Sequence, residues 1–391
     1  MEILFLSINF LSKSIMLREN EYSNIPDSLK NIIGKNLHMT KNHPLEIMKK
    51  KIYEYFDSLQ NYKFAKFEDL CPIVTVKQNF DDLLIPDNHP ARKKTDTYYV
   101  NEEEVLRTHT TAHETDLLKC GLKAFLTVGD VYRKDEIDCC HNRVFHQMEG
   151  VGLTMEAKNA EECRNELEKI LGGLVDHLFP GREYRINPDY FPFTTNSMEI
   201  EVNYEGKWLE ILGGGVLQDK IIESSGLDSS QKYWAFGLGL ERLAMILFNI
   251  PDIRYFWTDH PKFMDQFSSG KIVKFQPYSK LPNLSNDISF FIHDGYVENV
   301  ENEKGDKIER WIEDNDFYEI VRDVCGNWVE NVNLMDAFFH TKKNQHSKTF
   351  TITYSPHDPS LKDPTEFRNL VLNMQESVRK NVAEKLHVTL R

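Results

Sequence analysis

The sequence predicts an α+β protein in two parts, a large mixed domain followed by a small βαββαβ module. Three observations support that reading. The chain has 391 residues, 40% of them hydrophobic and 12% aromatic, which is apolar material for more than one core. Strand-like and helix-period segments alternate through the first two thirds. The stretch SSGKIVKFQPYSKLPN is then rich in Ser, Gly, Pro and Lys and has no periodicity, as a linker would be. Beyond it the order reads strand (287–292), helix (316–325), strand (327–334), strand (348–354), helix (365–386) and a last short strand. That is the order of a ferredoxin-like module. The expected organisation is a leader or N-terminal extension over 1–35, a large domain over 36–267, a linker over 268–284 and the small domain over 285–391.

Composition removes several classes. The aromatic content excludes a disordered chain, and 19 Gly with 15 Pro exclude a collagen-like one. No apolar run reaches the ~18–20 residues that span a bilayer. The six cysteines, Cys71, Cys120, Cys139, Cys140, Cys163 and Cys325, form no CxxC pair, so a reducing compartment is expected. The terminus MEILFLSINFLSKSIMLR carries Lys13, Arg18 and three serines, features of an organelle presequence, with Glu2 against them. A net charge of −14 argues against binding nucleic acid by bulk attraction. Residues 342–391 differ, with nine Lys/Arg against five Asp/Glu, which makes a local basic face the expected nucleic-acid footprint.

The large domain starts at His43-Pro44, where Leu45, Ile47, Met48, Ile52, Tyr53 and Phe56 recur at helical spacing. Residues 72–92 read as extended and end in Pro-punctuated turns. Residues 126–133 and 143–151 read as two strands flanking the polar loop KDEIDCCHN. A helix is expected near 159–178, then strands near 184–193, 197–203 and 207–212. FGLGLERLAMILFNI turns helical after its glycines and stops before Pro251.

Strand parity points to chemistry. Phe145, Gln147 and Glu149 fall on one face of their strand, and Val144, His146 and Met148 on the other. An aromatic, an amide and a carboxylate in line suit a binding wall, although a solvated sheet face would look the same. Phe191 with Phe193, and Glu199 with Glu201, repeat the pattern. Arg242 stands among Leu240, Leu243, Ala244 and Leu247, so it reads either as half of a buried ion pair or as an anion ligand. No GxxxxGK[ST] excludes a P-loop, and GLGLER lacks the third glycine of a dinucleotide fingerprint. Cys139, Cys140, His141 and His146 are close in sequence, but adjacent cysteines are poor zinc ligands and no metal is assigned to them.

FDDLLIPDNHPAR, RTHTTAH, GDVYRKD…HNRVFHQMEG, FPFT, WLEILGGG and WAFGLGLERL occur in the order found in class II aminoacyl-tRNA synthetases. They resemble the catalytic chain of the phenylalanyl-tRNA synthetase family. KFQPYSKLPNLSNDISFF and the βαββαβ order resemble the anticodon-binding domain of its single-chain mitochondrial form. The resemblance implies an antiparallel sheet flanked by helices, with ATP and Mg²⁺ as cofactors. It also implies L-phenylalanine and tRNA(Phe) as partners, a monomer in the mitochondrial matrix, and no membrane association.

Roles follow residue by residue from the same resemblance. Arg133 and Arg242 are the motif arginines on the ATP phosphates, His141 lies near those phosphates, and Phe145 stacks on adenine. Asp135 and Glu210 complete the ATP set. His109, Thr111, Gln147 and Glu149 hold the amino group of phenylalanine, while Phe191, Phe193, Thr194, Ala235 and Gly237 surround its ring. Lys342, Lys343, Lys348, Arg368, Arg379 and Lys380 are the expected tRNA contacts. The chain departs from the family at Thr111, where Ser is usual, at Thr195-Asn196, and at Asp135, where Glu is usual. None of these removes a charge the chemistry requires. A non-catalytic RNA-binding paralogue would be expected to lose Arg133, Arg242 or Glu149, and a synthetase for another amino acid would alter the FPF pair or Ala235.

Overall fold

A seven-stranded sheet organises the first part of the chain in a computed structural model that describes residues 20–277, 281–301, 307–356, 361 and 363–391. Residues 1–19 of the expected leader and 278–280 of the expected linker lie outside the described residues. The chain folds as two compact units. Among the described residues the first comprises 20–133, 144–250 and 259–275, and the second comprises 134–143, 251–258 and those from 276 onward. The loops 134–143 and 251–258, both inside the span assigned to the large domain, therefore pack with the C-terminal residues.

In the first unit the strands are β1 (Ala65–Phe67), β4 (Ala124–Tyr132), β5 (Val144–Thr154), β6 (Tyr184–Pro188), β7 (Thr194–Tyr204), β8 (Lys207–Leu217) and β9 (Lys232–Gly239). Their order is β1-β4-β5-β9-β8-β7-β6, antiparallel throughout except for the β1–β4 edge pair. A separate small ladder pairs β2 (Ile73–Thr75) with β3 (Glu104–Leu106). The antiparallel sheet flanked by helices is thus present.

Helix α1 (Pro44–Ser58) begins as its sequence dictates. His43 Nδ1 accepts from Leu45 N at 3.2 Å and Pro44 occupies the first turn. Its apolar stripe buries Leu45, Met48, Ile52 and Phe56, and the Phe56 ring stacks on Phe236 at 5.2 Å and 3°. Helix α4 (Ala160–Leu178) starts at Asn159, which accepts from Glu162 N at 2.9 Å, and buries Leu167, Leu171, Leu174 and Leu178. Helix α5 (Leu240–Phe248) follows β9 directly.

Two expected stretches differ. Residues 72–92 are not simply extended: after β2 a one-turn helix α2 (Val76–Asn79) forms, closed by a Thr75/Gln78 capping box. The strand expected over 184–193 ends at Pro188. Phe191 and Phe193 sit in the turn Phe191-Pro192-Phe193, where Thr194 N donates to Phe191 O at 3.1 Å. Proline supplies no N–H to a ladder, which accounts for the early stop.

The second unit holds β10 (Leu284–Ile292), β13 (Val329–His340), β14 (Gln345–Tyr354) and β15 (Val388–Leu390) in the order β13-β14-β10-β15. Helices α6 (Asp314–Cys325) and α7 (Pro364–Lys385) bury Phe317, Val321, Phe367, Val371 and Val378 against Ile288, Phe290, Phe350 and Ile352. This is the expected βαββαβ module. It also contains a hairpin of β11 (Val297–Glu301) and β12 (Lys307–Trp311) that sequence patterning did not reveal.

Candidate active site

Parity and register build the site on one face of the first sheet. Gln147 and Glu149 on β5 pair across to Gly239 and Gly237 on β9, and Gly237 pairs in turn with Gly213 on β8. The resulting floor is made of small residues, Gly213, Gly237 and Ala235. A Cβ at Gly213 would lie 2.7 Å from the Phe191 ring, so that ring occupies the space a side chain would take. The glycine runs are therefore flat strand, not turns. Val144, His146 and Met148 project to the opposite, fully buried face.

The cavity on this face measures about 370 Å³. Its lining includes eleven of the expected site residues: His109, Thr111, Arg133, Gln147, Glu149, Phe191, Phe193, Thr194, Glu210, Ala235 and Gly237. The Phe191 and Phe193 rings are nearly parallel, 5.8 Å apart at 17°. Two more expected residues adjoin the lining. The Arg133 guanidinium lies over the Phe145 ring, 5.3 Å from its centroid, while Arg133 Nε donates to Thr108 O at 2.7 Å. Arg242 Nη1 donates to Glu210 O at 3.0 Å and stands 3.7 Å from its carboxylate.

Arg242 needs a correction. Its side chain is 43% exposed, so it is not the buried charge of its helix. That place belongs to its neighbour Glu241, whose carboxylate accepts from His146 N at 2.8 Å and from His146 Nδ1 at 2.7 Å. Leu37 N donates to His146 Nε2, which fixes the tautomer with the proton on Nδ1. This buried pair ties α5 to β5, and the residue-type pattern of the sequence carried no sign of it.

Electrostatics inside the cavity are those of a desolvated site. Burial raises the Glu149 carboxyl to about 7, against hydrogen bonds from Thr111, Thr110 and Glu114 that lower it. Thr110, not anticipated, donates to Glu149 Oε2 at 3.2 Å. Desolvation, with the Arg133 charge second, brings the His109 imidazole down to about 3, so it is neutral at physiological pH. Behind the wall, Arg107 and Asp130 form a fully buried pair at 3.2 Å, with the Tyr132 hydroxyl donating to Asp130 at 2.7 Å.

Asp135 and His141 belong to the loop 134–143, which clusters with the second unit. Within that unit Lys134 pairs with Asp316 at 3.0 Å, and Arg143 pairs with Glu319 and Asp323 at 3.2 and 3.0 Å. The Asp135 and Glu136 carbonyls accept from Arg322, and His141 Nδ1 donates to Asp138 at 2.7 Å. Neither Asp135 nor His141 lines the cavity. Cys139 and Cys140 are exposed on the same loop.

The six expected tRNA contacts do not share a face. Lys342 and Lys343 occupy the β13–β14 turn, whereas Arg368, Arg379 and Lys380 lie on α7, which covers the opposite side of the sheet. Lys348 faces the helices and is bound to Asp314 at 2.9 Å, close to the Trp311 and Phe350 rings, so it is not part of an exposed surface. The uncovered face carries a group that composition did not single out. Phe291 lies beneath Lys343 at 4.1 Å and Arg391 at 5.3 Å, and His340 and the half-exposed Phe338 adjoin them.

Residues 29–267 match the family model described as tRNA synthetases class II core domain (F). The chain is 44% identical over 390 residues to the chloroplastic/mitochondrial phenylalanine–tRNA ligase of Arabidopsis thaliana, covering 97% of this chain and 86% of that protein. It is 43% identical to the mitochondrial phenylalanine–tRNA ligase of Mus musculus, covering 86% of this chain and 80% of that one. The corresponding figures for the mitochondrial enzyme of Saccharomyces cerevisiae are 32%, 94% and 92%. The chain belongs to the phenylalanine–tRNA ligase family of class II synthetases. The synthetase shares most of its length with single-chain organellar relatives. Among its described residues no helix is long and apolar enough to cross a membrane.

Proposed function

We propose that this synthetase activates L-phenylalanine with ATP and transfers it to the 3′-terminal adenosine of tRNA(Phe), acting as a monomer in the mitochondrial matrix. The carrying observation is the cavity itself, whose lining combines Glu149, Gln147 and Thr111 with the Phe191 and Phe193 rings. A carboxylate with neutral acceptors suits an ammonium group, and apolar rings over a floor of Gly and Ala suit a flat aromatic side chain.

Activation joins a substrate carboxylate oxygen to the α-phosphorus and expels diphosphate. The carboxylate is already ionised at neutral pH, so no general base is needed. What the chain supplies is alignment and positive charge: Arg133 on the α-phosphate and Arg242 toward the terminal phosphates. Phe145 carries the adenine ring, and neutral His109 helps to place the amino group. In the second step the terminal ribose 2′-OH attacks the carbonyl carbon and AMP departs.

Mg²⁺ takes one or two carboxylates with substrate oxygens, not an all-protein cage. Glu210, on the cavity wall, offers such a donor, and bound Mg²⁺ would neutralise phosphate charge there. For tRNA, the reading favours Lys342, Lys343 and the uncovered sheet face with Arg391 and Phe338 over Lys348, since cations beside aromatic rings suit unstacked bases.

Phenylalanine-dependent exchange of diphosphate into ATP by the purified protein tests the proposal. Exchange with phenylalanine, and far weaker exchange with other amino acids, supports it. No exchange would overturn it.

A further inference from the structure

Glu114 is a buried ionisable group that the chemistry above leaves unused. It is the first residue of helix α3 (Glu114–Lys119), is 2% exposed, and neither carboxyl oxygen has a hydrogen-bond donor among the described residues. Glu149 faces it, 4% exposed, within hydrogen-bonding reach, and itself accepts from Thr110.

Among the described residues nothing offers Glu114 a counter-charge. His113, beside it, accepts at Nε2 from Arg107 Nη1 at 2.9 Å, and burial holds that imidazole well below its usual range, so it is neutral. Arg107 is committed to Asp130 and to the Leu70 carbonyl at 3.1 Å. Farther along α3, Asp116 accepts from Gln78 at 2.6 Å. Among the described residues the charge that acts on Glu114 is that of Glu149. Two carboxylates in one dry site cannot both ionise, and an unpaired buried carboxylate is costly.

We propose that Glu114 remains un-ionised and donates its carboxyl proton to Glu149, which makes it a positioning residue for the amino-group site. This rests on the reading that Glu149 holds the substrate ammonium. With one proton between them the pair carries a single negative charge, equal and opposite to the ammonium. The hydrogen bond from behind orients the Glu149 carboxylate toward the cavity. Burial and the Glu149 charge hold the Glu114 carboxyl well above the usual carboxylate range, so Glu149 is the one that ionises first.

Infrared spectra of the full chain at about pH 8 test the protonation state directly. The carbonyl stretch of an un-ionised carboxylic acid should be present in the wild type and lost in Glu114→Gln. Kinetics test the positioning role. The amide of Glu114→Gln can still donate to Glu149, so its KM for phenylalanine should stay within about threefold. Glu114→Met leaves Glu149 without that donor and should raise KM for phenylalanine roughly tenfold or more, with KM for ATP unmoved.

The proposal fails if the spectrum of Glu114→Gln retains the wild-type band or the wild type has none. It also fails if Glu114→Gln raises KM as much as Glu114→Met, or if neither variant moves it. Glu149→Gln separates the two ideas. Unchanged KM for phenylalanine in that variant would sink the amino-group reading, while the infrared band would still report on Glu114.

Discussion

The cavity of the first unit and the uncovered sheet face of the second use similar side chains under opposite conditions. Both set aromatic rings beside ionisable groups. In the cavity, Glu149 is buried, His109 is neutral through desolvation, and the lining comes from several separate segments brought together by one sheet. On the small module, Lys343 and Arg391 lie at the surface over Phe291, and Phe338 is half exposed. A charge interaction worth several kcal/mol in a dry site shrinks to about 0–1 kcal/mol at a wet surface. The lesson is that single substitutions should be severe and specific in the first region, and mild, additive and salt-dependent in the second.

The largest effect should come from Arg133→Ala, which removes positive charge from the reacting phosphate while leaving phenylalanine contacts in place. Removing such a preorganised group should lower kcat for ATP–diphosphate exchange by about 10²–10³. Lys343→Ala, measured in the same assay, should change nothing. Equal losses in the two variants would erase the distinction between the regions.

Next comes Glu149→Gln, which takes a charge from the amino-group site. Losing one partner of a desolvated charge pair costs about 2–5 kcal/mol, so KM for phenylalanine should rise by roughly 30-fold to 5,000-fold. The same variant should be more stable than the wild type at alkaline pH. The sign follows from the raised carboxyl: the folded protein binds a proton more tightly than the unfolded chain. That contribution is complete below the unfolded value and is lost as pH rises through about 7. Thermal melts should therefore favour Glu149→Gln above that pH and converge with the wild type in acid. A variant no more stable than the wild type in alkali would mean that Glu149 is not strained by its burial.

Intermediate effects belong to the pocket floor. Ala235→Gly should admit para-substituted phenylalanines in the exchange assay, and unchanged selectivity would count against placing the ring there. Tyrosine is the natural probe of the wild type. An apolar pocket rejects an added hydroxyl by only about 100-fold, so measurable tyrosine activation is expected. Exclusion beyond ten-thousand-fold would require a polar device that the Phe191, Phe193 and Ala235 lining does not contain.

The same contrast governs what was legible beforehand. Gln147 and Glu149 could be read because a strand has a period of two; the same parity failed for Phe191 and Phe193, which lie in a turn, and only the resemblance carried that pair. Partners brought together by sheet register could not be read. Glu241 meets His146 across 95 positions and Asp130 meets Arg107 across 23, and nothing local marks either pair. Glu114 carries no mark in the sequence, because only its burial against Glu149 makes it unusual. Helix α2 is a single turn, too short for periodicity to register, and the β11–β12 hairpin is polar enough to pass for a loop. On the module, net charge correctly located a basic segment but could not say which side of the sheet each lysine faces. Charge alone therefore places Lys348 with the surface, although Asp314 holds it against the helices.

The smallest expected effects lie on the uncovered face. Arg391 donates to Ser347 Oγ at 3.0 Å and lies over both Phe291 and Phe338, so a hydroxyl and two rings orient it. If it meets an RNA phosphate, Arg391→Gln should raise KM for tRNA only a few-fold and leave amino-acid exchange untouched. On single-stranded RNA, one fewer neutralised phosphate should reduce the slope of log affinity against log salt by about 0.7. Phe338→Ala, which removes a stacking surface and no charge, should weaken tRNA by about 1 kcal/mol, the low end for one stacked base, while leaving that slope unchanged. Titrating tRNA binding against salt in both variants separates charge from stacking. A slope that falls equally in the two would mean that the ring serves only to hold the cation, and the face would then be an electrostatic footprint without base contacts.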